Sequence, residues 1–221
     1  MNPASLPDKV RPLLHAAGVL PVLTVNDVAE SIAIARALLA GGLNTLEITL
    51  RTAAALDALR EVKSALPQIM VGAGTVLDSS QVDAAIKAGA DFLVTPGTPS
   101  TLAEALAEAP IPAIPGAATP TEIIALLQHG FGVMKLFPAS ILGGTAMLRA
   151  LRGPFPNLCF CPTGGIREDD MAEYLGEANV VAIGGSWMVR PEWLTTRNFD
   201  AITASARRTR QRIDALRKTS N

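Results

Sequence analysis

The chain has 221 residues, of which 49% are hydrophobic and 18% are charged, and its formal net charge is −1. This composition supports a large buried core and excludes an intrinsically disordered chain. A net charge so close to zero argues against a general nucleic-acid or membrane-surface binder and leaves small neutral or anionic ligands as candidates.

Targeting signals are not visible in the sequence. No stretch approaches the ~18 consecutive apolar residues of a membrane span. The first residues, MNPASLPDKVRPLL, contain no apolar segment followed by a small-residue cleavage site, so we expect no signal peptide. The two cysteines, Cys159 and Cys161, are too close in sequence for a disulfide framework. They favour a reducing, cytoplasmic compartment.

The chain begins with a predicted helix over residues 1–16, in which Leu13 and Leu14 can cover one end of a core. From Gly18 onward, a short β-rich segment, a polar break and an alanine-rich amphipathic segment repeat at intervals of roughly 20 to 26 residues. The predicted strands begin near Val19, Leu43, Met70, Phe92, Ile111, Phe131, Leu158 and Val180.

Helix signals lie between these strands. Asp78 with Gln81 is typical of a capping box, and Thr119 or Thr121 can begin a helix that ends at Gly130. The final helix is predicted over residues 198–218, and its basic segment ARRTRQR favours a solvated helix face.

Eight strand–helix units with right-handed crossovers predict the α/β class and a single domain over residues 1–221. The expected architecture is a (β/α)8 TIM barrel with an extra N-terminal helix. A doubly wound open sheet is the alternative.

The second predicted strand, LNTLEITLRT, alternates polar and apolar residues. If it is regular, Leu43, Thr45, Glu47, Thr49 and Arg51 share the face that points into the barrel. An interior glutamate and arginine are costly unless they are paired or used. The pattern therefore predicts either a buried Glu47–Arg51 ion pair or an acid/base beside a guanidinium that binds a carboxylate.

Lys135 is unusual among the five lysines because it lies in an apolar segment, GFGVMKLFPAS. Alternation places it with Phe131, Val133 and Phe137 on the interior face of strand six. Burial disfavours the charged ammonium, and a neutral amine is a nucleophile for carbonyl carbon. The alternative is a lysine whose ammonium reaches the strand end or pairs with a carboxylate.

Paired glycines follow the last two predicted strands, Gly164-Gly165 after strand seven and Gly184-Gly185 before Ser186 after strand eight. Such turns let backbone N–H groups approach a phosphate, and the start of a short helix after them would add its dipole. The alternative is an ordinary tight turn. Thr75, Pro96 and Thr163 each fall at the carboxyl end of a strand, where they can line the same pocket.

Other candidate motifs do not fit. The segment GAGTVL has Leu77 in place of the third glycine of a dinucleotide-binding fingerprint. Cys159 and Cys161 share one face of a strand, which favours interior packing over metal binding. His15 and His129 fall on helices far from the predicted site, so no clustered metal ligands are expected.

Seven segments in this order and spacing resemble the bacterial 2-keto-3-deoxy-6-phosphogluconate (KDPG) aldolases, which also act as 4-hydroxy-2-oxoglutarate (KHG) aldolases. The resemblance extends from about Gly18 to Val189 and rests on the segments GGLNTLEITLRT, VGAGTVL, FLVTPG, IPG, MKLFPAS, CPTGGI and IGGSW. It implies a class I aldolase that needs no metal or other cofactor and assembles as a homotrimer. It would cleave 2-dehydro-3-deoxy-6-phosphogluconate to pyruvate and glyceraldehyde 3-phosphate.

The resemblance also implies roles for individual residues. Lys135 would form the Schiff base with the 2-keto acid, and Glu47 would move protons through a water. The remaining assignments are the carboxylate site and pocket (Arg51, Thr75, Pro96, Phe137, Thr163) and the phosphate site (Gly164, Gly165, Gly185, Ser186).

Alternatives remain at the level of the sequence. The substrate could instead be the phosphogalactonate analogue or 4-hydroxy-2-oxoglutarate, or the reaction could be oxaloacetate decarboxylation. A phosphosugar isomerase or epimerase would use the glycine turns without an imine. A catalytically idle barrel could serve as an oligomeric scaffold.

Overall fold

The computed structural model of the protein describes residues 6–218, along which short parallel strands alternate with helices. The strands are β1 (Val19–Leu23), β2 (Thr45–Thr49), β3 (Met70–Gly74), β4 (Phe92–Val94), β5 (Ala113–Ile114), β6 (Gly116–Ala117), β7 (Val133–Leu136), β8 (Cys159–Phe160) and β9 (Ile183–Gly185).

The helices separate these strands and close the chain. They are α1 (Leu6–Ala17), α2 (Val28–Ala40), α3 (Ala55–Ala65), α4 (Ser79–Lys87), α5 (Ser100–Glu108), α6 (Pro120–Gln128), α7 (Gly144–Arg152), α8 (Met171–Leu175), α9 (Pro191–Thr195) and α10 (Phe199–Lys218). A 3₁₀ turn, Glu168–Asp170, leads into α8. The terminal helices match the expected positions, although residues 1–5 of the predicted first helix lie outside the described residues.

All described strand pairs are parallel, which confirms the predicted α/β architecture. One sheet has the order β5-β4-β3-β2-β1-β9, and the second has the order β6-β7-β8. The sequence predicts one continuous fifth strand from Ile111, but Pro115 divides it into β5 and β6 because proline has no N–H for the ladder. Between β8 of the second sheet and β9 of the first, Thr163 and Gly184 form an isolated parallel bridge.

An apolar cluster inside the curled sheets is separate from the larger core between the sheets and the helices. It includes Phe92 and Ile114, together with both cysteines, as the predicted interior packing requires. Leu14 of α1 is fully buried in this cluster, and Leu13 packs against it. Helix α1 therefore covers one end of the interior, as the sequence predicts.

Alternation along β2 separates the two environments. Leu46 and Ile48 belong to the core that faces the helices, whereas Glu47, between them, is buried on the opposite face. Two predicted members of the interior faces are wrong: Leu43 and Phe131 lie before the observed strands and pack in the helix-facing core.

Local sequence signals define several helix starts. Asp78 accepts a hydrogen bond from the backbone N–H of Gln81, whose side chain accepts from the N–H of Leu77. Thr119, not Thr121, forms the capping box of α6 with Glu122. Among the described helices, none is both long enough and apolar enough to cross a membrane.

Candidate active site

A cavity of about 510 Å³ opens where the carboxyl ends of several strands meet. Its walls include eight of the residues that the sequence predicts for the site: Arg51, Lys135, Phe137, Thr163, Gly164, Gly165, Gly185 and Ser186. This volume is within the usual range for small-molecule sites, ~300–1,000 Å³. The position at the strand ends is where α/β folds generally bind ligands.

Lys135 and Glu47 form a buried pair at the base of this cavity. The Lys135 Nζ lies 3.5 Å from Glu47 Oε1, and the two side chains are 4% and 1% exposed. The Phe137 ring is adjacent, with its centroid 5.2 Å from the same Nζ. The predicted convergence of lysine and glutamate in one interior is therefore present in the geometry.

The second carboxylate oxygen, Glu47 Oε2, is buried and has no hydrogen-bond partner among the described residues. Burying a carboxylate oxygen without a hydrogen bond costs free energy. We therefore expect this oxygen to accept a hydrogen bond from a ligand or a water molecule in the cavity. Gly74 makes room for this carboxyl, because a Cβ at that position would collide with Glu47 Oε1.

Arg51 differs from its predicted position. Strand β2 ends at Thr49, so Arg51 lies in the turn beyond it, where it is exposed and borders the cavity. It does not pair with Glu47; its Nε donates to Thr75 Oγ1 at 3.1 Å. The buried Glu47–Arg51 ion pair is therefore absent from the described part of the chain.

Thr75 holds this contact from an unusual backbone conformation, with φ at 57°. A β-branched residue at positive φ costs on the order of 1–3 kcal/mol, which the surrounding structure must offset. Thr75 does not line the cavity itself and reaches it through Arg51. Pro96, at the end of β4, is half-buried and also lies outside the cavity walls, with its carbonyl against Gly116.

The paired glycines form turns on one side of the cavity. Gly164 and Gly165 have φ values of 99° and 76°, a conformation that glycine adopts without strain. Among the described residues, no protein group accepts a hydrogen bond from the N–H of Gly164, Gly165 or Ser186. These donors are therefore free for an anionic ligand.

The short helix expected after the second glycine pair is present as α9, but it begins five residues beyond Ser186. After Ser186 the chain turns, with the Val189 N–H donating to the Ser186 carbonyl, and α9 begins only at Pro191. The Trp187 ring covers Gly185, and its Nε1 donates to Thr209 of α10 at 3.1 Å. Packing against α10, and not a helix start, fixes this loop.

The thiols below the site are inert. Complete burial raises the pKa of Cys161 to about 12, with smaller opposing effects from the nearby Lys135 and Glu47 charges. Burial also raises the pKa of Cys159. Both thiols therefore stay protonated at neutral pH and act as packing groups, because the thiolate is the reactive form.

The two histidines lie away from the cavity. His15 lies in the last turn of α1, and His129 caps the end of α6. Over residues 6–218, no group of three or more His, Cys, Asp or Glu side chains is placed to hold a metal ion.

Gly184 of the second predicted glycine pair also lines the cavity, but the sequence did not indicate its other lining residues, which are Val22, Leu23, Thr24, Ile34, Ile166, Trp187, Val189, Arg190, Pro191 and Leu194. Four of them, Thr24, Trp187, Val189 and Arg190, lie in the loops after β1 and β9, where no periodic pattern indicates which side chain faces a ligand. For Arg190 the available signal was its position four residues after Ser186, in the same loop.

Comparison with known proteins gives a consistent result. The model of the KDPG and KHG aldolase family matches residues 10–205. The 2-dehydro-3-deoxy-phosphogluconate aldolase of Pseudomonas aeruginosa is 45% identical over 181 residues, 82% of each chain.

Two solved structures are similar over most of their length. The KDPG aldolase of Legionella pneumophila, with pyruvate captured at low pH as a covalent carbinolamine intermediate, is 38% identical with a TM-score of 0.88. That match covers 90% of this chain and 97% of the other. The Zymomonas mobilis ZM4 aldolase with 3-phosphoglycerate is 36% identical with a TM-score of 0.84, covering 90% and 94%.

Proposed function

We propose that this chain, which belongs to the KDPG and KHG aldolase family, is a class I aldolase, and therefore a lyase. It cleaves 2-dehydro-3-deoxy-6-phosphogluconate to pyruvate and glyceraldehyde 3-phosphate, and 4-hydroxy-2-oxoglutarate to pyruvate and glyoxylate. The observation that carries the proposal is the buried Lys135 amine 3.5 Å from a buried carboxylate, at the base of an open cavity.

Lys135 is the nucleophile of this mechanism. Its amine attacks C2 of the 2-keto acid to give a carbinolamine, and loss of water gives a protonated imine. The iminium withdraws electrons from the C3–C4 bond. The position of Glu47 supports the first step, because its Oε1 lies 3.5 Å from the Lys135 Nζ and can exchange a proton with the amine.

Glu47 is the acid/base. It protonates the leaving hydroxyl of the carbinolamine and then, through a water, removes the proton of the C4 hydroxyl. The C3–C4 electrons pass into the iminium to form an enamine, and the aldehyde leaves. Protonation of C3 and hydrolysis of the imine release pyruvate and restore Lys135. The unpaired Oε2 supports this role because it offers an acceptor for such a water.

Arg51 binds the carboxylate of the 2-keto acid. Its Nε is occupied by Thr75, which leaves both terminal nitrogens of the guanidinium for a bidentate contact. Phe137 and Thr163 line the cavity around the imine, and Pro96 packs against Gly116 of the neighbouring strand β6. The phosphate binds at the other side of the cavity. It accepts hydrogen bonds from the N–H groups of Gly164, Gly165 and Ser186, and Gly185 joins this loop to the sheet.

The arrangement of the strands also supports a proposal about the overall architecture. We infer that the two curled sheets form one closed (β/α)8 barrel and that residues 1–221 are a single domain. Three features support this: β5 and β6 are one strand interrupted at Pro115, β1 pairs with β9, and Thr163 bridges to Gly184 between the two sheets. With eight strands in register, the carboxyl ends converge on the cavity.

Replacing Lys135 tests the imine. Lys135→Ala should abolish cleavage of both substrates in an assay coupled to pyruvate reduction, because no amine remains to form the Schiff base. Lys135→Arg should be equally inactive, since a guanidinium keeps the charge but does not act as a nucleophile. The exposed Lys87→Ala is the control. Near-normal turnover of either Lys135 variant, with a folded protein, would contradict the proposal.

Glu47→Gln separates catalysis from structure. The change preserves shape but removes the proton acceptor, so turnover should fall on the order of 100-fold or more. Glu108→Gln, on the exposed end of α5, should leave it unchanged. Equal steady-state rates for wild type and Glu47→Gln would make Glu47 a structural partner of Lys135 only.

We also propose that the protein is a cytoplasmic homotrimer, as its family resemblance implies. Large apolar side chains remain exposed on the single chain, with Ile141 at 82% and Ile124 at 51%, and an interface would bury them. Sedimentation equilibrium at micromolar concentration should give three times the chain mass of 23.0 kDa. A monomer under these conditions would contradict the assembly but not the chemistry.

A further inference from the structure

The charged side chains that line the cavity are all cationic. They are Arg51, Lys135 and Arg190, and no aspartate or glutamate is part of the described walls. Glu47 offsets Lys135 from behind the wall, and the proposed function already assigns Arg51 to the carboxylate of the 2-keto acid. Arg190 is therefore a positive charge that no carboxylate of the described cavity wall offsets.

Arg190 lies in the loop that carries Ser186. The turn closed by the Val189 N–H and the Ser186 carbonyl brings the chain to Arg190, and Pro191 follows at once with its fixed φ. The Arg190 carbonyl accepts hydrogen bonds from the N–H groups of Trp193 and Leu194. The backbone at this position is therefore well held.

The Arg190 side chain packs against an aromatic ring, but no close carboxylate among the described residues neutralises its charge. The guanidinium carbon lies 5.0 Å from the centroid of the Trp193 ring, a cation–π distance. The contact with Glu192 is long, 3.9 Å between Nη1 and Oε1, and both side chains are at least half exposed. A pair of this kind contributes little. The aromatic ring thus orients an arginine whose donors remain available.

We propose that Arg190 is a specificity-determining residue that contacts the phosphate of the substrate, from the same side as the glycine-turn N–H groups. This rests on the proposed aldolase function and adds a residue to it. Arginine matches phosphate geometry through paired N–H donors and stays charged at every working pH. An unphosphorylated 2-keto acid has no dianion at this end and does not gain from the contact.

Arg190→Gln should reduce kcat/KM for 2-dehydro-3-deoxy-6-phosphogluconate by about 10-fold, mainly through KM, since a half-exposed charged hydrogen bond is lost. The ratio of kcat/KM between this substrate and unphosphorylated 2-dehydro-3-deoxygluconate should fall by a similar factor. Arg190→Lys should retain part of the preference. Added salt should weaken the wild-type preference more than that of Arg190→Gln.

The matched control is Arg197→Gln. Arg197 is also exposed and lies 5.8 Å from an aromatic centroid, that of Phe199, but it does not line the cavity. Both substrates should be cleaved by this variant as by wild type. An equal loss in Arg190→Gln and Arg197→Gln, or an unchanged substrate ratio in Arg190→Gln, would overturn the proposal.

Calorimetric binding of glycerol 3-phosphate, which has no keto group, tests Arg190 without catalysis. The dissociation constant should rise about 10-fold in Arg190→Gln and remain unchanged in Arg197→Gln. If wild type binds this probe through Arg190 but cleaves no 2-keto acid, the aldolase proposal fails and the Arg190 assignment stands. If cleavage proceeds and Arg190→Gln binds the probe as wild type does, the Arg190 assignment fails alone.

Discussion

The burial of Lys135 against Glu47 is the constraint on which the rest of the structure depends. An ammonium and a carboxylate lose several kcal/mol of hydration each on burial, and loss of either partner leaves the other charge uncompensated, at about 3–5 kcal/mol. The fold places the pair on facing strands, β7 and β2, and provides space for the carboxyl at Gly74. Helix α1 and the apolar cluster against which it packs close the opposite end of the interior.

Solvent exposure increases from the Lys135–Glu47 pair towards the rim of the cavity. Its base is buried and contains the reactive amine, whereas its rim has solvent-accessible backbone donors and two arginines, Arg51 and Arg190. Thr75 fixes Arg51 from a backbone conformation that is costly for threonine, and Trp193 supports Arg190. The site therefore suits a ligand that has a carbonyl next to one anionic group and a second anionic group at its other end.

Short-range patterns predict the buried pair well. Period-two alternation in β2 and β7 places Glu47 and Lys135 on interior faces, and the glycine pairs mark two turns at the cavity. The pattern fails where strands end: Arg51 lies beyond Thr49, and Leu43 and Phe131 precede the strands, so alternation no longer applies to them. Pro115 interrupts the fifth strand. The proline is visible in the sequence, but the strand pattern on both sides of it predicts a single continuous strand. Arg190 lies in a loop whose path is set by tertiary contacts. A loop has no hydrophobic periodicity, so the sequence does not indicate which of its side chains face the cavity.

Borohydride trapping with pyruvate, followed by peptide mass spectrometry, tests the central claim most directly. Reduction of the imine fixes pyruvate to the amine that formed it, so the modified residue identifies the nucleophile. The account predicts one pyruvate-derived adduct on the peptide that contains Lys135 and none on Lys63 or Lys87. A folded protein that turns over substrate without a Lys135 adduct, or with the adduct on another lysine, would contradict it.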